Sequence, residues 1–237
     1  MHMRSRIGAV AGLALALAGA IVGGAGATER GVVVELYTSQ GCSSCPPADE
    51  LLARLSEKDG VIPLALHVDY WDYIGWTDIF GDPRFTKRQK KYAHVAGRRM
   101  IYTPQMIVSG TDHVVGTHPM DLADLIDMHE ERPVPVSLEL TRDGDALTIT
   151  LETVAPLGPT MVQLVRYLPS KEVKIKRGEN AGKTLTYTNI VTDWQALGDW
   201  DGEGRDAIEA QVTGDLPIVV IVQKPGPGEI VAAGRLR

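Results

Sequence analysis

The feature that most constrains the fold is a pair of cysteines, Cys42 and Cys45, placed between an apolar run and a stretch with helical periodicity. Residues 32–37 read Val-Val-Val-Glu-Leu-Tyr, a mostly apolar and β-branched run that is typical of a buried strand. Residues 48–55 carry leucines at helical spacing. The pattern therefore predicts a strand, a Cys-Ser-Ser-Cys turn and a helix that begins at the second cysteine.

Three kinds of chemistry remain open for this pair. At the start of a helix, unpaired N–H groups and the helix dipole favour a thiolate, which predicts thiol–disulfide exchange with Cys42 as the nucleophile and Cys45 as the resolving residue. A local structural disulfide is the second interpretation, although so short a loop removes little chain entropy. The third is metal ligation, which would need two further ligands because the chain has only two cysteines.

Two further positions are candidates for the same site. Thr103-Pro104 precedes the apolar run 105–108, and proline is tolerated at the start of a strand. The order of elements resembles that of thioredoxin-like domains, and this resemblance implies that Pro104 follows a cis bond and lies against the dithiol. Glu35 is the one carboxylate in its strand, and burial would raise its pKa toward the range useful for proton transfer. A solvent-facing Glu35 on an edge strand is the alternative.

The N-terminal residues predict export. Arg4 and Arg6 precede an apolar stretch over residues 7–22, and the small triplet at residues 25–27 is typical of a signal-peptide cleavage site. We therefore predict a signal peptide over residues 1–27 and a periplasmic or secreted protein whose cysteines are oxidised. The formal net charge of the chain is −6, and loss of the two arginines makes it more negative. This acidity disfavours nucleic acid as a partner, and no later segment predicts a membrane span.

Composition changes near Pro133. Before it, helical and strand patterns alternate, and beyond it short alternating strands are separated by turn signals. The predicted fold class is α/β plus all-β: a thioredoxin-like domain over residues 28–132, with an aromatic and helical insertion at about residues 70–96, followed by a β-sandwich-like domain over residues 133–237.

Four sequence blocks carry a resemblance to a known family. Residues 33–49 include the strand and the cysteine pair, residues 67–76 read His-Val-Asp-Tyr-Trp-Asp-Tyr-Ile-Gly-Trp, residues 102–105 read Tyr-Thr-Pro-Gln, and residues 178–185 read Gly-Glu-Asn-Ala-Gly-Lys-Thr-Leu. Together they resemble the exported thioredoxin-like family catalogued as domain of unknown function 1223. This resemblance implies a fold, but it brings no settled activity.

The aromatic block is a candidate for partner binding. Tyr70, Trp71 and Trp76 belong to a segment over residues 70–83 that holds five of the thirteen aromatic residues of the chain, and such a segment is able to shape a groove beside the dithiol. Packing of the insertion onto its own domain is the alternative.

His67 is a candidate copper ligand. It follows the second predicted strand, and a pair of thiolates with an imidazole suits copper(I).

Three functions follow from these observations. The first is an exported thiol–disulfide oxidoreductase that acts on exported proteins or small thiols without a cofactor. The second is a copper-binding or copper-delivery protein that uses Cys42, Cys45 and His67. The third is a non-catalytic binding module with a structural disulfide.

Overall fold

The computed structural model describes residues 28–237, so the predicted signal peptide over residues 1–27 lies outside the described residues. Among the described residues 44% are in strands and 18% in helices. The helices are α1 (Pro46–Leu55), α2 (Pro83–Val95) and α3 (Pro119–Glu130), with a short 3-10 turn at Asp72–Ile74. The strands are β1 (Glu29–Arg30), β2 (Val32–Thr38), β3 (Val61–His67), β4 (Gln105–Val108), β5 (Asp112–Val115), β6 (Val136–Asp143), β7 (Ala146–Thr153), β8 (Thr160–Lys174), β9 (Thr184–Trp200), β10 (Arg205–Gln211), β11 (Ile218–Gln223) and β12 (Ile230–Leu236).

One sheet runs through both halves of the chain. Nine strands lie in the order β1-β12-β11-β8-β9-β3-β2-β4-β5, and β10, β7 and β6 form a second, three-stranded sheet. Strand β2 pairs in parallel with β3, and β3 pairs in parallel with β9 at Ala65 and Ile190. The remaining pairs in both sheets are antiparallel.

The predicted fold class, a thioredoxin-like α/β domain followed by a β-sandwich-like domain, is therefore wrong. The described chain is mostly β, and its main sheet is mixed and continuous across residue 133. The physical reason is the length of β8 and β9, which have 15 and 17 residues where short strands were predicted. At about 3.3 Å per residue, these two strands are long enough for β8 to pair with β11 and for β9 to pair with both β8 and β3. The domain boundary near Pro133 stays a prediction.

Each face of the main sheet has its own apolar layer, because side chains alternate along a strand. One face carries Val33 and Tyr37 of β2, and Phe85 and Tyr92 of α2 pack in the same cluster as residues from β8, β9, β11 and β12. The alternate residues of β2 pack against α1 and α3. Alternate residues of β8, β11 and β12 pack against the three-stranded sheet.

Glu35 lies on the α2 face of β2. Its carboxylate accepts two hydrogen bonds of 2.8 Å from the guanidinium of Arg88, one of 2.6 Å from the Tyr92 hydroxyl and one of 3.0 Å from the Tyr37 hydroxyl. Glu35 is fully buried, and the Arg88 side chain is 13% exposed. Burial acts to lower the pKa of Arg88, but the neighbouring Glu35 outweighs it and raises the pKa above its usual range. The strand alternation thus places a charged pair inside the core.

We predict that Glu35→Gln lowers the free energy of unfolding by about 3–5 kcal/mol, because it leaves the Arg88 guanidinium buried without its counter-charge. Denaturant unfolding at pH 7 measures this loss. Glu50→Gln is the matched control, because Glu50 is exposed on α1 and an exposed carboxylate contributes little. A Glu35→Gln loss no larger than that of the control would show that the pair is dispensable.

Candidate functional site

The two cysteines form a disulfide at the start of α1, and the prediction that they pair with each other is confirmed. Their Cα atoms are 5.4 Å apart. The turn is closed by the Cys42 N–H, which donates to the Ser39 carbonyl at 3.1 Å, and Cys45 is the N-cap residue of α1. Cys45 is fully buried and Cys42 is 3% exposed, whereas the two serines between them are exposed. The Cys42 end of the bond is therefore the end closer to solvent.

Thr103 and Pro104 lie beside the first turn of α1. The peptide bond between them is cis. A methyl group added to Gly116 would lie 2.9 Å from Ala48 Cβ and 3.0 Å from Pro104 Cβ, which places the proline within a few ångströms of the helix that carries the disulfide. The Trp71 indole N–H donates to the Thr103 hydroxyl at 2.8 Å. The structure thus places Pro104 beside the first turn of α1, and Thr103 against Trp71.

Glu35 is not brought to the disulfide. It lies on the face of β2 that packs against α2, while α1 packs on the other face. A buried carboxylate that α1 itself carries is Asp49, which the sequence reasoning missed. Cys45, Ala48, Asp49 and Leu52 share the buried side of this segment. An acid in the apolar stripe of a helix was the available signal.

Asp49 lies one helical turn after Cys45. The Asp49 N–H donates to the Cys45 carbonyl at 3.1 Å, and one carboxylate oxygen accepts from the Thr38 hydroxyl at 2.8 Å. Loss of hydration on burial raises the pKa of Asp49 to about 7, against the opposing attraction of His67 and the hydrogen bond from Thr38. A carboxyl group with this pKa exchanges its proton near neutral pH.

His67 and Asp78 form a buried pair next to Asp49. The His67 ring nitrogen Nδ1 lies 2.7 Å from Asp78 Oδ2, which also accepts from the Gln40 N–H at 2.8 Å. Burial acts to raise the pKa of Asp78, but the attraction and hydrogen bond of His67, with bonds from backbone N–H groups, lower it below the usual range. The His67 ring makes edge contacts with Phe80 at 5.2 Å and Tyr187 at 4.9 Å between ring centroids.

Four polar side-chain atoms in this region are buried and have no hydrogen-bond partner among the described residues. They are Gln40 Nε2, Asp49 Oδ2, His67 Nε2 and Tyr187 Oη. Burial raises the pKa of Tyr187 far above its usual value, and the nearby carboxylates of Asp49 and Asp78 add to this rise. Unsatisfied buried groups are uncommon in folded proteins and concentrate at working sites. Four of the six such atoms in residues 28–237 therefore lie behind the disulfide.

The aromatic segment surrounds the cysteine turn in two ways. Trp71 packs against the turn, since a methyl group on Gly41 would lie 3.2 Å from Trp71 Cβ, and its ring stacks with that of the exposed Tyr73. The Trp76 indole N–H donates to Gln40 Oε1 at 2.8 Å. Tyr70 instead points toward α2, where its hydroxyl donates to Gln89. Of the three predicted binding residues, Trp71 and Trp76 contact the turn directly.

A loop from the second half of the chain holds the cysteine turn. The Asn180 side-chain amide donates to the Gln40 carbonyl at 3.0 Å and to the Cys42 carbonyl at 2.9 Å, and its oxygen accepts from Lys183 Nζ at 2.8 Å. Asn180 is buried. The sequence predicts a solvated strand connection within a family signature for this loop, and no local pattern shows that it reaches residue 42.

The metal alternative remains a prediction. His67 lies on the α1 side of β3, but its Nδ1 atom is committed to Asp78. Over residues 28–237, no group of three or more histidine, cysteine or acidic side chains is arranged to hold a metal ion. In the same residues, no helix combines the length and apolar character required to cross a membrane.

These features define a mostly β protein with a disulfide at a helix start, backed by a buried polar cluster. The chain belongs to the family described as "Protein of unknown function (DUF1223)", whose model matches residues 33–223. The solved structure of protein AGR_C_4864 from Agrobacterium tumefaciens is 34% identical, with 89% of this chain and 94% of that chain covered and a TM-score of 0.75. HBP35 of Porphyromonas gingivalis is 17% identical, with 89% and 76% covered and a TM-score of 0.61, and this likeness shows the fold alone. No curated protein matches the chain.

We predict that Asp49 makes stability depend on pH. Its folded pKa of about 7 exceeds the ordinary value of 3.8, so the folded state holds the proton more tightly than the unfolded state does. Asp49 therefore lowers the free energy of unfolding progressively as the pH rises from about 4 to 7. At about 1.4 kcal/mol per pKa unit, the whole change is about 4 kcal/mol.

The measurement compares the free energy of unfolding of the wild type with that of Asp49→Asn from pH 4 to pH 7. Titrating groups that do not interact with Asp49 contribute equally to both proteins and cancel. The variant should therefore gain stability relative to the wild type as the pH rises. Asp124→Asn makes the same chemical change at an exposed position of α3 and should show no such trend. Parallel curves for wild type and Asp49→Asn would contradict a buried acid of raised pKa.

Proposed function

We propose that this protein is an exported thiol–disulfide oxidoreductase in which Cys42 is the nucleophile and Cys45 the resolving cysteine. The observation that carries the proposal is the disulfide at the start of α1, with the buried Asp49 one helical turn further on. A purely structural link of four residues removes little chain entropy. A structural disulfide also gives no reason for Asp49 to be buried next to it with one carboxylate oxygen unsatisfied.

The chemistry assigns different roles to the two sulfurs. A partner thiolate attacks Cys42 Sγ, which lies at the solvent side, and the Cys42–Cys45 bond breaks as a new bond forms between the partner and Cys42. The departing Cys45 takes the electron pair as a thiolate at the helix start and accepts a proton from the Asp49 carboxyl group. In the reverse direction the Asp49 carboxylate takes the Cys45 proton as Cys45 attacks the mixed disulfide, and the partner leaves as a thiolate.

The surroundings of Cys42 suit a partner that presents a thiol or disulfide on an exposed chain. Trp71 and Tyr73 form a stacked aromatic surface beside the cysteine turn. Pro104 lies beside α1, the helix that begins at the disulfide, and Thr103 accepts a hydrogen bond from Trp71. We therefore propose exported proteins or small thiols as substrates and assign no cofactor. A periplasmic or secreted location fits the signal-peptide pattern at the N-terminus and the oxidised state of the pair.

We predict that reduced Cys45→Ser forms a lasting mixed disulfide at Cys42 when it is treated with oxidised glutathione, because the residue that would resolve it has been removed. Mass spectrometry of the intact protein measures the adduct and its lifetime. The reduced wild type should form the same adduct only transiently, since Cys45 displaces glutathione and restores the internal disulfide.

Cys42→Ser is the matched control, because it leaves Cys45 as a fully buried thiol that glutathione should modify much more slowly. Equal, slow modification of both variants would contradict the assignment and leave a structural disulfide. A lasting adduct on the wild type would show that Cys45 does not resolve.

A further inference from the structure

A second concave site lies on the other side of the molecule, along α2. The cavity has a volume of about 370 Å³, within the size range of small-molecule sites. It is lined by five cationic residues, and no acidic residue lines it. The cations are Arg84, Lys87, Arg88, Lys91 and Lys224.

The charge of this cavity runs against that of the whole chain, which is −6. Three acids lie against two of the five cations: Glu35 pairs with Arg88, while Asp82 and Asp193 pair with Arg84. Lys87 and Lys91 form no ion pair within residues 28–237. Lys224 donates to the Leu157 carbonyl, a neutral group. The cavity therefore keeps an uncompensated positive charge, which favours an anion.

Three of the cations of α2 lie on one side of the helix. Arg84, Lys87 and Lys91 are three and four residues apart, a spacing that brings side chains to a common face. All three residues are exposed. They are thus able to turn their charged groups toward a ligand without breaking a buried contact.

Part of the cavity lining is apolar, and Trp194 within it is held in place. Trp194, Met161 and Pro227 form this apolar part. The Arg88 guanidinium lies 3.9 Å from the centre of the Trp194 ring, and the Trp194 N–H donates to Gln163 at 2.9 Å. Because Arg88 is itself held by Glu35, the indole is anchored through its ring and its polar edge.

We infer that this cavity binds a small organic anion that carries a flat apolar group, as an aromatic carboxylate does. The apolar part of the lining accepts the ring, and Lys87 and Lys91 bind the carboxylate. The site is separate from the disulfide, because α2 packs on the face of the sheet opposite α1. Binding here therefore needs neither cysteine and does not depend on the proposed redox function.

The test uses 2-naphthoate as the probe and isothermal titration calorimetry on the protein with its disulfide intact. We expect 2-naphthoate to bind, and the uncharged 2-naphthalenemethanol to bind at least tenfold more weakly. Lys87→Gln/Lys91→Gln should weaken 2-naphthoate binding by about tenfold, equivalent to about 1.4 kcal/mol. Raised salt should weaken binding in the wild type more than in this double variant.

Lys90→Gln/Lys171→Gln is the matched control, since it removes the same charge from exposed positions that do not line the cavity. It should bind 2-naphthoate as the wild type does, and so should Cys42→Ser/Cys45→Ser. Absence of 2-naphthoate binding up to about 1 mM, equal affinity for the neutral probe, or equal weakening by both lysine pairs would each overturn the proposal. Binding of 2-naphthoate by a wild-type protein whose cysteines fail the glutathione test would overturn only the proposed function.

Discussion

The parallel pairing of β3 with β9 is the contact on which the rest of the structure depends. It joins the first and second halves of the chain into one sheet at Ala65 and Ile190. The same pairing brings Tyr187 of β9 against His67 and lets the loop before β9 reach the cysteine turn through Asn180. The site beside the disulfide is therefore assembled from both halves, and neither half contains all of its contacts.

The two faces of β2 separate two kinds of buried charge. On the α2 face, Glu35 and Arg88 neutralise each other with several hydrogen bonds, which makes this pair a part of the core. On the α1 face, Asp49 has one hydrogen bond from Thr38 and one unsatisfied oxygen, and burial raises its pKa to about 7. A buried carboxyl group whose pKa lies near 7 is poised to exchange a proton at neutral pH, so the α1 face offers proton chemistry beside the disulfide.

Local features of this chain could be predicted from its sequence, while long-range ones could not. The disulfide and the strand–turn–helix around it follow from a short segment, because spacing and periodicity determine them. The predicted fold class was wrong because the residue pattern of a strand does not determine which other strand it pairs with. Strand β9 pairs with β3, which lies more than a hundred residues earlier in the chain. Because side chains alternate along β2, Glu35 and Leu36 lie on opposite faces of the sheet, and this alternation could have placed Glu35 on the face away from α1. The position of Asp49 in the apolar stripe of α1 could have identified it as a buried acid. The bond from Asn180 to the cysteine turn had no local signal.

The reduction potential of the Cys42–Cys45 pair tests the central claim most directly. Equilibration of the protein with defined glutathione buffers, followed by thiol counting, measures it. Exchange enzymes are poised between roughly −270 and −120 mV, whereas structural disulfides typically lie below about −300 mV. For an exchange-active Cys42–Cys45 pair we expect a reduction potential between roughly −270 and −120 mV. A potential well below −300 mV would contradict it and would show that the disulfide only holds the turn together.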